Sequence, residues 1–128
     1  MQRLQTRAQF EAVLKGPILA KTAHFAIHAQ HLPLPGRGEA ALDPQQAALG
    51  AMVPKRWAKR AVTRNLLKRQ IYALSHHLLQ SGTPRAFVVR LRQSFSRQQF
   101  SAAASEQLKQ AACLQLLSLY AKASEASA

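Results

Sequence analysis

Carboxylates are scarce in this chain. Five Asp and Glu residues stand against 18 Lys and Arg in 128 residues, a formal net charge of +13, and no acid lies between Pro44 and Ser105. Hydrolysis of a phosphodiester by protein groups draws on clustered carboxylates that hold metal ions, or on a positioned acid and base. Glu11, Glu39, Asp43, Glu106 and Glu125 are instead spread over expected helices, a loop and a tail, with no pair at metal-ligand spacing. His24, His28, His31, His76 and His77 have nothing in the sequence to orient them as acid and base. No catalytic residue and no protein-borne metal site is therefore expected. The single cysteine, Cys113, can form neither an internal disulfide nor, alone, a zinc site, and reads as a small core residue in a reducing compartment. Long apolar runs are missing too. The opening "MQRLQTRAQFEAVLK" lacks the apolar centre of a signal peptide and no segment approaches a membrane span, so a cytoplasmic protein without membrane contact is expected.

What is present is positive charge, in a length suited to one small domain. So large an excess attracts polyanions by counterion release and long-range steering, which makes nucleic acid the first partner to consider. Along the chain, Thr6-Arg7-Ala8-Gln9 has the form of a capping box, and Phe10, Val13 and Leu14 follow at helical spacing before Gly16-Pro17. A helix from Thr6 to Lys15 is expected. "AHFAIHAQ" alternates as a half-buried strand, with Phe25 and Ile27 towards the core and His24 and His28 on the other face. Residues 31–46 carry three of the six prolines and two glycines without periodicity, and read as a flexible loop. "AALGAMVP" reads as a second strand, and "RAFVVRLR" as a third and central one. Helices are expected from about Lys59 to Leu79, ahead of Gly82 and Pro84, and from about Arg97 to Ala121 behind a Ser96 cap. Phe100, Ala104, Leu108, Ala111, Leu116 and Leu119 form the apolar side of the latter, and residues 122–128 read as a disordered tail after a single domain spanning 1–121.

Strand end and helix are joined by "VPKRWAKRAVTRNLLKR", residues 53–69, with seven Lys or Arg and no acid. At about 100° per residue, Leu67, Ile71, Leu74 and Leu78 share one face of the helix, while Arg64, Asn65, Lys68, Arg69, Tyr72 and His76 share an arc of roughly 140° beside it. An ordinary solvated face mixes signs. Here Arg60, Arg64 and Lys68 repeat at i, i+4 spacing without an acidic partner, which costs a few tenths of a kcal/mol per pair, on the order of 0.3. An anionic partner would compensate, and Arg adds forked recognition of phosphate while Asn65 can address a base edge or a sugar hydroxyl. There is no helix-turn-helix, zinc-ligand set or basic region leading into heptads, so structured RNA fits better than duplex DNA. Phe10 and an open strand face with His28 could stack on unpaired nucleotides. Trp57 is as plausible an anchor for the strand end as an RNA contact.

The same residues carry a resemblance. "VPKRWAKRAVTRNLLKR", with its Arg-Asn-x-x-Lys-Arg core after a basic pair and Lys-Arg-Ala, resembles the signature of the bacterial ribonuclease P protein subunit, and the opening "RLQTRAQFEAVLKG" fits it as well. The resemblance covers roughly residues 4 to 120, leaving out the long loop and the tail. It implies an α+β sandwich with a three- to four-stranded mixed sheet, similar to a domain of ribosomal protein S5, with the basic helix in a left-handed crossover. It implies partnership with the catalytic RNA of ribonuclease P and with precursor tRNA, no obligatory protein partner, and Mg2+ held mainly by RNA and substrate. Lys55, Arg56, Lys59, Arg60, Arg64, Asn65, Lys68 and Arg69 match the signature and are the implied RNA-binding set. Phe10 matches an aromatic of the cleft for the single-stranded 5′ leader, whereas Leu14, His28 and Tyr72 stand at positions where many members have Phe, Tyr and Arg. A structural RNA-binding protein with no role in cleavage, ribosomal or other, shares the charge and the fold class and remains the alternative.

Overall fold

A computed structural model of the protein describes residues 1–34, 41–79, 82–95 and 105–127. The elements in order are β1 (Gln2–Arg3), α1 (Arg7–Leu14), β2 (Ile18–Lys21), β3 (Phe25–His31), β4 (Ala48–Met52), α2 (Ala61–Ala73), a 3-10 turn (Ser75–His77), β5 (Arg85–Leu91) and α3 (Glu106–Ser127). The strands form one mixed sheet in the order β1-β4-β5-β3-β2, parallel at β1/β4 and β4/β5 and antiparallel at the other two pairings. The expected α+β architecture is present, with β5 at the centre of the sheet.

Strand alternation divides the core into two layers. Phe25, Ile27 and Ala29 of β3, Leu49 and Ala51 of β4, and Phe87, Val89 and Leu91 of β5 meet Leu67 and Ile71 of α2 and Leu116, Leu119 and Tyr120 of α3. Each fully buried large apolar side chain there contributes about 1.5–3 kcal/mol of transfer free energy. On the opposite face, Ala48, Ala86 and Val88 meet Val13, Phe10 and Leu14 of α1. β3 is therefore covered on both faces, not half-buried, and Ala26 and His28 are buried along with Phe25 and Ile27.

The capping box forms as expected: Gln9 N–H donates to Thr6 Oγ1, and Gln9 Oε1 accepts from the Thr6 N–H. At its other end α1 approaches β3 so closely at Gly16 that a Cβ there would collide with the Ala29 carbonyl.

Four features depart from the sequence reading. The sheet has five strands because two short edge strands, β1 and β2, join the three that alternate visibly. The basic helix stops at Ala73, six residues before Leu79, and turns into the 3-10 segment that brings Leu78 into the core. His24 precedes β3 and stacks on Phe95 at 4.0 Å, on the α3 side, so it does not share a face with His28. The last helix runs on to Ser127, with Ala123 fully buried and Ser124 Oγ accepting from the Leu79 N–H, so residues 122–127 are helical, held at Ala123 and Ser124, and not a disordered tail. The Ser96 cap, Phe100 and Ala104 lie outside the described residues.

Candidate nucleic-acid interface

Pro54 ends β4, and its carbonyl accepts from the Trp57 and Ala58 N–H groups, closing a tight turn. Ala58 and the half-buried Trp57 anchor that turn to the main core, which leaves Lys55, Arg56, Lys59 and Arg60 exposed around it. The Arg56 guanidinium lies over the Trp57 ring at 5.2 Å, so Trp57 serves as the turn's anchor and supports a basic neighbour. Arg60 is the N-cap of α2 with no side-chain cap bond, and no acid occupies the first turn. The positive end of the helix dipole therefore points into an already basic turn, which favours anions there.

Arg64 is half-buried and reaches back: its Nη1 donates to the carbonyls of Ala58 at 3.0 Å and Lys59 at 2.7 Å. It shapes the turn as well as charging it. Asn65, Lys68 and Arg69 are exposed on α2. Among the described residues the only ion pair is Arg7–Glu11, at 2.9 Å, so none of the cations of the turn or of α2 is neutralised by a carboxylate. Among the described residues, no group of three or more His, Cys, Asp or Glu could hold a metal ion, and no helix is long and apolar enough to cross a membrane.

The basic surface borders a groove. Since β1 pairs only Gln2 and Arg3 with Ala48 and Leu49, the rest of β4 has no strand neighbour on that side among the described residues. An open groove of about 490 Å³ lies along this edge, lined by Arg7 and Phe10 of α1, Ala51 to Pro54, and Lys68 of α2. Phe10 lies on the sheet because Gly50 beneath it has no side chain: a Cβ on Gly50 would stand 2.5 Å from the ring. Lys68 also lines a second hollow of about 480 Å³ with Arg3, Arg69, Tyr72 and Ala73. There the Arg3 guanidinium stacks on the Tyr72 ring at 3.9 Å, and the Tyr72 hydroxyl accepts from the Ala51 N–H at 3.1 Å. Arg3 is a site residue that sequence reasoning missed, because a two-residue strand leaves no periodic signal.

The other implied cleft residues fare differently. Leu14 is half-buried against the α1-side core and lines neither hollow. His28, read as part of an open stacking face, is only 6% exposed; its Nδ1 lies 3.3 Å from the Gly16 carbonyl and its Nε2 accepts from Arg90 Nε at 2.9 Å. Burial, aided by the Arg90 charge, holds its pKa below the ordinary histidine value. Cys113 is half-buried, not core, and its Sγ donates to Gln70 Oε1 at 3.3 Å.

Fold and site together define a small, strongly basic α+β protein whose unpaired cations gather around one turn, one helix and an apolar groove beside them. The chain belongs to the ribonuclease P family, whose profile matches residues 1–115. The ribonuclease P protein component of Bordetella petrii is 40% identical over 89 residues, 70% of this chain and 68% of that protein. That of Bordetella parapertussis is 44% identical over 69 residues, 54% of this chain and 52% of that protein. The fold is similar to that of the Staphylococcus aureus RNase P protein, with a TM-score of 0.61 at 19% identity over 93% of this chain and 92% of that one.

Proposed function

We propose that this chain is the protein subunit of a bacterial ribonuclease P, binding the catalytic RNA through its basic turn and α2 and holding the 5′ leader of precursor tRNA in the groove beside Phe10. The observation that carries this reading is the continuity of the two surfaces: Lys68 stands in the wall of the groove and on the basic helix at once. A phosphate backbone on α2 and an unpaired strand in the groove could then be bound side by side, with the Lys and Arg charges offsetting the repulsion between two polyanions. Phe10 contributes an aromatic ring to the groove lining, and base–aromatic stacking is worth about 1–3 kcal/mol per stacked base. Tyr72, where many family members have Arg, is overlaid by the Arg3 guanidinium, which returns positive charge to that place.

The carboxylates among the described residues, Glu11, Asp43, Glu106 and Glu125, form no metal cluster. Mg2+ is accordingly proposed to be held by the RNA and the substrate, and leader cleavage to be carried out by the RNA. The protein's part is to bind and orient the substrate in the bacterial cytoplasm, without an obligatory protein partner.

The test is the affinity of the RNA–protein complex for precursor tRNA with and without its leader, compared with that of the RNA alone. Tighter binding that requires both protein and leader supports the reading. Equal affinity for leadered and leaderless tRNA would contradict the groove assignment, and tight RNA binding without any effect on substrate would favour a structural RNA-binding protein.

A further inference from the structure

On the α1 side of the sheet, Arg90 is a cation that belongs to neither the basic turn nor α2. Arg90 of β5 is in register with Met52 of β4 on one side and Ala26 of β3 on the other, and Ala26 is in register with Lys21 of β2. These residues form one row across the sheet. The preceding row, His28, Val88 and Gly50, lies beneath α1 and the turn that follows it. Adjacent strands are about 4.8 Å apart, so Arg90 stands one strand from Met52, which lines the groove together with Phe10.

The Arg90 guanidinium is held from one side. Its Nε donates to His28 Nε2 at 2.9 Å. The Gly16 carbonyl opposite Nδ1 can only accept, so Nδ1 carries the imidazole proton and Nε2 the lone pair that Arg90 uses. His28 itself is almost fully buried and fixed by both contacts. Both Nη groups of Arg90 are left without a protein partner among the described residues, although the residue is half-buried. A partly desolvated guanidinium with unmade hydrogen bonds is costly until an anion meets it, and the free Nη edge has the fork geometry that suits two phosphate oxygens.

We propose that Arg90 binds a backbone phosphate of the single-stranded RNA segment in the groove, and that His28 is the positioning residue that aims its guanidinium. This rests on the leader-binding reading above. It extends the binding surface from the basic helix across the floor of the sheet, towards Lys21.

The experiment measures binding of precursor tRNA with a long leader, and of the same tRNA without a leader, by the complex of ribonuclease P RNA with the full-length protein. Arg90→Ala is expected to weaken long-leader binding about tenfold, the loss of one charged hydrogen-bonding contact, and to leave leaderless binding unchanged. The slope of log affinity against log salt should fall by about 0.7, as for one phosphate of a single strand. His28→Leu should reproduce the loss, and His28→Gln, which keeps an acceptor for Arg90 Nε, should restore binding; a merely structural role for His28 would show no such rescue tied to the leader. Thermal unfolding of each variant controls for stability, and should Arg90→Ala not fold, Arg90→Lys carries the test by weakening long-leader binding alone. If the wild-type complex discriminates by leader and Arg90→Ala discriminates equally, this inference is overturned and the groove assignment stands. If the wild-type complex does not discriminate at all, both fall.

Discussion

Gly50→Ala separates the packing argument for Phe10 from a general preference for alanine over glycine. Gly50 is a strand residue, and the only positive φ among the described residues belongs to Gly82, so the backbone at 50 accepts a side chain without strain. On that ground alone Ala would stabilise the protein by about 0.4–1 kcal/mol. The new Cβ would, however, lie 2.5 and 2.7 Å from Cε1 and Cζ of Phe10 and 2.9 Å from Cδ1 of Leu4. Relieving that overlap means moving the ring off the sheet, and overpacking of this kind costs about 1–3 kcal/mol. The crowding outweighs the entropy gain, leaving a net loss of about 1–2 kcal/mol, or roughly 3–10 °C in Tm for a domain of this size. In a Phe10→Ala background the two nearest atoms are gone, so Gly50→Ala should cost close to nothing, with a coupling of about 1 kcal/mol or more in the double-mutant cycle. Urea or thermal unfolding of the four proteins reads this directly. Stabilisation by Gly50→Ala, or strictly additive costs, would refute the seating of Phe10 on Gly50.

Gly16→Ala should be more damaging, about 3 kcal/mol or more, because the group in its way is the Ala29 backbone and not a movable ring; expression and Tm check it. Arg64→Ala removes two hydrogen bonds to the carbonyls of Ala58 and Lys59 and, discounted for its half-exposed position, should lower stability by about 1 kcal/mol in urea unfolding as well as weaken RNA binding. Lys68→Ala should leave stability within about 0.5 kcal/mol and reduce the salt slope of RNA binding by about 0.7–0.9. The pH dependence has a definite sign. Burial, with Arg92 and Arg90 respectively, lowers the folded-state pKa of His24 and His28 below the unfolded value of about 6.5, so both contribute stability above that pH and lose it as the pH falls. The urea midpoint should be lower at about pH 5.5 than at about pH 7.5, and an equal or higher midpoint would contradict the burial of these imidazoles.

The elements legible in the sequence were those whose pattern is local and long enough to repeat. Alternation marked β3 and β5, the capping box marked α1, and the basic run marked the turn and α2. β2 escaped because a register shift between Ile18 and Ala20 breaks its alternation and sets Leu19 and Ala20 both against the main core. The end of α3 escaped because its Ala and Ser residues have little hydrophobic signal, yet their small size lets Ala123 pack and lets Ser124 bond the chain leaving the 3-10 turn. At the site, charge and composition located the basic surface but not its partners. That Arg64 turns back to the backbone, that Arg3 comes to lie on Tyr72, and that His28 is buried beneath α1 are consequences of tertiary packing between residues far apart in the chain.

The central claim is most directly tested by cleavage of a precursor tRNA at low magnesium with a bacterial ribonuclease P RNA and this protein, together and each alone. The account predicts removal of the 5′ leader only when both are present. Cleavage by the protein alone would contradict it, as would a failure of the protein to promote cleavage while it binds the RNA tightly.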